Sequence, residues 1–83
     1  MSLDCYKRQM VDLRARMARE REAKKKDNAY YAERIKNEST ASGKASYRKS
    51  KIDKAAYHDR AIESLKHSIE MCKENIARAR KSR

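Results

Sequence analysis

The side chains best suited to hold a metal or act as nucleophiles are Cys5, His58, His67 and Cys72. A zinc site draws its ligands from short local spacings such as C-x-x-C or H-x-x-x-H, because neighbouring residues on one turn or helix face converge on one ion. Neither pattern occurs. His67 and Cys72 lie five residues apart, which puts them on different faces of a helix. No Ser/His/Asp or Cys/His grouping converges, and with a single glycine there is no phosphate-cradling loop. The sequence therefore predicts no metal, no cofactor and no catalytic residue: a protein that is not an enzyme.

Three other groupings have chemistry of a different kind. His58 can meet Asp27 and Lys24 across a helix pair, a polar cluster able to act as a pH-sensitive latch, because histidine changes charge near neutrality; the alternative is that these long side chains reach out to water. A second grouping is basic and aromatic: Tyr30, Tyr31, Lys44, Tyr47, Arg48, Lys49 and Lys51. Tyrosines interleaved with cations can stack bases and hold phosphates, which makes this a candidate nucleic-acid tip. No helix-turn-helix, RNP or finger signature accompanies it. The third grouping is a row of cations, Lys7, Arg14, Arg21, Lys66, Lys73 and Arg80, whose meaning depends on the elements that carry it.

Those elements are legible in the apolar spacing. Ala55, His58, Ile62, Leu65, Ile69, Cys72, Ile76 and Ala79 step alternately by three and four, as the a and d positions of a coiled coil do. Leu3, Tyr6, Met10, Leu13 and Met17 repeat the pattern in the first part of the chain. Ser2 suits an N-cap, with Asp4 in the first turn. The stretch from Glu38 to Ser46 gathers small and hydroxyl residues around Gly43, which can take the left-handed conformation that ends a helix, and Ser46 or Ser50 can cap the next one. The prediction is a helix over about 3–37, a turn over about 38–50 and a helix over about 51–80.

A turn centred near Ala41 pairs residues whose numbers add to about 82, so Leu3 meets Ala79, Tyr6 meets Ile76, Met10 meets Cys72, Leu13 meets Ile69 and Met17 meets Leu65. Two independent seams match about one turn. The expected fold is thus all-α: an antiparallel two-helix hairpin with coiled-coil packing, its arms on the order of 50 Å long, completed by self-association or by a partner helix. Cys5 lies off the seam, and no disulfide to Cys72 is expected.

The edges of the seam then acquire meaning. In an antiparallel pair the e positions of both helices share one side and the g positions the other. Lys7, Arg14, Arg21 and Asn28 face Asp59, Lys66, Lys73 and Arg80 along the e edge; like charges so placed oppose the isolated hairpin. The g edge, with Gln9, Arg16, Ala23, Tyr30, Ala61, Ser68 and Asn75, is small and nearly neutral. The first edge suits an acidic partner, and the second suits close approach of another helix or a second copy.

Composition sets the outer bounds. The 83-residue chain has no proline, tryptophan or phenylalanine, 42% charged residues and a net charge of +11. That is the balance of long solvated helices in one domain, and a chain this short has marginal stability alone. The charge favours acidic proteins, nucleic acid or anionic surfaces. It is spread evenly, as +4, +4 and +3 over 1–29, 30–57 and 58–83. No apolar run can span a bilayer and no signal-peptide core is present, so a cytoplasmic protein, or one exported without a cleaved signal, is expected. The stretch Ala41-Ser42-Gly43-Lys44-Ala45-Ser46-Tyr47, with its glycine, small residues and aromatic, resembles the mid-chain turn of the WXG100-type helical hairpins of type VII secretion, with Ala41 where that family has tryptophan. The resemblance implies a non-enzymatic partner that escorts an effector.

Overall fold

The structure, a computed structural model, describes residues 2–82. Two helices, α1 (Leu3–Asn37) and α2 (Ala41–Lys81), fold back on each other as an antiparallel hairpin. The molecule measures 65 × 14 × 12 Å with a radius of gyration of 18.8 Å, against about 12 Å for a globule of this length. It is a rod one helix pair thick, and that geometry limits burial. Among the described residues only Met10, Met17, Cys72 and His58 are buried, and none completely. The remaining seam residues Leu3, Tyr6, Leu13, Ile62, Leu65, Ile69 and Ile76 are half-buried.

Cross-helix contacts define the register. The Cys72 thiol donates to the Tyr6 carbonyl oxygen at 3.1 Å, Lys24 reaches Asp59, His58 reaches Glu20 and Asp27, and Arg34 lies over the Tyr47 ring. These pairs straddle the expected register within about one helical turn. Cys5 and Cys72 are both free thiols.

The turn corrects the sequence reading. Only Glu38, Ser39 and Thr40 separate the helices, and α2 begins at Ala41 rather than near residue 51. Neither Ser46 nor Ser50 caps it; both are inside the helix. Thr40 is the N-cap, its hydroxyl oxygen accepting the Gly43 N–H at 3.0 Å. Glu38 braces that cap: the Thr40 N–H (3.2 Å) and hydroxyl (3.1 Å) both donate to its carboxylate. The Thr40 N–H, then its hydroxyl, hold the Glu38 carboxyl below its usual pKa, with Arg34 adding to the effect. Gly43 is not left-handed, since no glycine has positive φ. It lies against the cap: a Cβ there would come 2.5 Å from Glu38 Cδ and 2.7 Å from Thr40 Oγ1, so a larger residue would displace these side chains from the bracing arrangement. The Ala41–Tyr47 stretch that carries the WXG100 resemblance is therefore the first two turns of α2, not a turn.

The outer ends are capped in ordinary ways. Ser2 accepts the Cys5 N–H at 3.2 Å, with Asp4 in the first turn of α1, and Arg78, Arg80 and Lys81 sit where the α2 dipole is negative. Arg83, the last of the C-terminal cations, lies outside the described residues.

Candidate interaction surface

The middle of the hairpin carries its most specific polar arrangement. His58 projects from α2 into the seam between two carboxylates of α1. Its Nδ1 meets Glu20 and its Nε2 meets Asp27 Oδ2 at 2.6 Å. Glu20 and Asp27 are seven residues apart, so they project from one face of α1 about 10.5 Å apart along it, and an imidazole entering from the side bridges them. With a carboxylate at each ring nitrogen, both nitrogens are best used as donors, which is the imidazolium form. The hydrogen bond to Asp27, then that to Glu20, raises the His58 pKa above 6.5; burial opposes this and is the weaker influence, because the covering layer is one side chain deep. The Tyr57 ring packs edge-on against the imidazole at 5.6 Å.

This cluster differs from the expected one. Asp27 is a partner of His58, but Lys24 is not: it turns away to Asp59 at 2.5 Å, and Glu20 takes the second position. Histidine at a d position signalled a polar break, while the spacing gave no sign that Glu20, one turn off the nominal pairing, would reach it.

Along the e edge all six predicted cations are exposed. Lys66 and Lys73 have neighbours on their own helix, Glu63 at 3.9 Å and Glu70 at 3.1 Å. Lys7, Arg14, Arg21 and Arg80 form no ion pair among the described residues. The register that sets Lys24 beside Asp59 and Tyr6 beside Cys72 brings Arg14 and Lys66 to neighbouring heights on this edge. Nearer the turn the same edge changes character, where Asn28, Ile35, Ile52 and Ala55 line an apolar groove rimmed by Arg48 and Lys51. The g edge is a shallow groove with Gln9, Leu13, Arg16, Ser68, Met71 and Asn75 along it, and Arg16 is paired with Asp12 at 2.9 Å.

The residues proposed as a nucleic-acid tip are not brought into one surface. Arg34 lies 5.6 Å from the ring centres of both Tyr30 and Tyr47, and Tyr31 packs edge-on against Tyr30 at 5.1 Å. Three aromatic rings thus have neighbours within the molecule, with Tyr30 still 53% exposed, whereas Arg48 and Lys51 line the groove on the opposite edge; Lys44 is half-buried and Lys49 is exposed. Arg34, exposed and lying over both rings, is not singled out by the seam spacing, which takes in only the apolar positions. No group of acidic, histidine and cysteine side chains suited to a metal ion is found among the described residues, and no helix is long and apolar enough to cross a membrane. No protein-family model, curated protein or solved structure matches the chain.

Proposed function

We propose that this protein is a non-enzymatic interaction module that packs its hairpin against partner helices and presents its cationic e edge to an acidic protein surface. The observation behind this reading is the edge itself: four cations without ion pairs, Lys7, Arg14, Arg21 and Arg80, run beside Lys66 and Lys73 on a rod too thin to bury its own seam. Uncompensated like charges oppose folding of the free hairpin, and an acidic partner reverses their sign of effect. The small g edge supplies the second face of a four-helix bundle, built with another copy or with partner helices.

Titration of the purified chain with poly-glutamate, by calorimetry, tests the edge. Arg14→Glu combined with Lys66→Glu is expected to weaken binding by about tenfold or more, and equal binding by the variant would rule the edge out. Binding of nucleic acid is the alternative, favoured by the +11 charge; its signature is a duplex mobility shift that vanishes steeply as salt rises. The hairpin form also accommodates an escort role in type VII secretion, for which a neighbouring gene encoding a large helical effector is the supporting observation.

A further inference from the structure

Followed from the termini toward the turn, the e edge has two successive characters. Lys7, Arg14 and Arg21 recur every seven residues on α1, and Lys66, Lys73 and Arg80 do so on α2. Each step is about 10.5 Å, the distance after which a straight helix in a coiled coil presents the same face again. Past the Lys24–Asp59 bridge the edge becomes an apolar groove with Arg48 and Lys51 at its rim. Ile52 is 68% exposed and shares a groove with Ile35, Asn28 and Ala55. From Lys7 to Ile35 the edge spans four heptads.

Phosphates would satisfy the cationic part of this edge but gain nothing from the isoleucines, where a partner must bring apolar surface to gain from displacing water. Both parts are satisfied by one ligand. Resting on the reading of the e edge as an acidic-partner surface, we infer that the occupant is a single amphipathic acidic helix of about four heptads, with Glu or Asp at heptad spacing opposite the cations and a large aliphatic or aromatic side chain seated between Ile35 and Ile52. The acidic residues steer and align the partner, and the apolar contact at the turn end fixes which way round it lies.

The test uses the full chain and a labelled synthetic helix of about 28 residues, acidic over three heptads and leucine-bearing on the same face in the fourth. A scrambled peptide of identical composition and a short DNA duplex serve as comparators in fluorescence anisotropy. The patterned peptide is expected to bind at least about tenfold more tightly than the scrambled one. Ile52→Gln, at an exposed position, should remove most of that difference while leaving the scrambled peptide unaffected, and Arg14→Glu should weaken both. Equal binding of the two peptides with both weakened by Arg14→Glu overturns the helix and leaves the acidic-partner edge standing. Indifference of both peptides to Arg14→Glu overturns the two together. A duplex that displaces the patterned peptide at equal charge overturns the inference in favour of nucleic acid.

Discussion

Between the termini and Met17 the two helices meet through Met10, Met17 and Cys72, side chains that mainly fill space, with one directed contact, the Cys72 thiol to the Tyr6 carbonyl oxygen. From Glu20 to the turn the contacts are of another kind: His58 between two carboxylates, Lys24 on Asp59, Arg34 between two tyrosines, and Glu38 bracing the Thr40 cap. The apolar half supplies cohesion and directs register only through that one weak thiol bond. The polar half directs it through several pairs, because a shift of one turn separates His58 from Glu20 and Asp27, Lys24 from Asp59 and Arg34 from Tyr47. In a rod whose described residues include no completely buried side chain, register is set by directed pairs rather than by close packing. The e edge divides at the same place, cationic beside the apolar seam and apolar beside the polar one.

The largest effect expected from breaking this division is at His58. His58→Ala leaves Glu20 and Asp27 unpartnered in the seam and should cost about 2–3 kcal/mol in urea unfolding, below the figure for a deeply buried pair because both carboxylates touch water. The same cluster predicts a pH dependence with a definite sign. His58 holds its proton more tightly when folded than the usual 6.5, so its stabilising contribution is complete below about 6.5 and is lost as pH rises through the raised value. Thermal melts should therefore show a lower Tm at pH 8.5 than at pH 6, with the difference much reduced in His58→Ala. A Tm independent of pH across that range would remove the clamp from the account.

Met17→Ala probes the other half. It should cost about 2 kcal/mol, the low end for a large-to-small core change, because a seam open to water on both sides leaves little cavity. The two substitutions should differ in kind as well as size: Met17→Ala keeps the pH dependence, and His58→Ala does not. Next in size is the cap. Thr40→Ala removes the acceptor for the Gly43 N–H and the donor to Glu38, and should lower stability by about 1 kcal/mol.

The same division explains what could be read from the chain. The apolar half was legible because a three-four spacing has one physical meaning, and Met10, Met17 and Cys72 are buried where that spacing puts them. The polar half was legible only as an interruption. Glu20 and Arg34 sit at seam positions, where a charged residue looks like an end of packing; Glu20 reaches His58 off the nominal register, and Arg34 lies over Tyr47 within it. The turn was read too long because Ser42, Gly43, Ser46 and Ser50 resemble loop residues. Once Thr40 caps the helix and Glu38 occupies the space beside Gly43, those residues continue it.

The smallest expected effect bears most directly on the claim that the cationic edge is kept for a partner at the expense of the free hairpin. Arg14 has no charged residue three or four positions away on α1, so Arg14→Glu mainly changes its relation to the cations along the e edge. The decisive measurement is the Tm of this variant against the wild-type chain at low and at high salt. Arg14→Glu is expected to stabilise by about 0.5 kcal/mol at low salt, by facing Lys66 and Lys73 with an opposite charge, and the gain should shrink as salt screens it. A variant that is less stable than wild type at low salt would show that the edge cations support the hairpin itself rather than being kept for a partner.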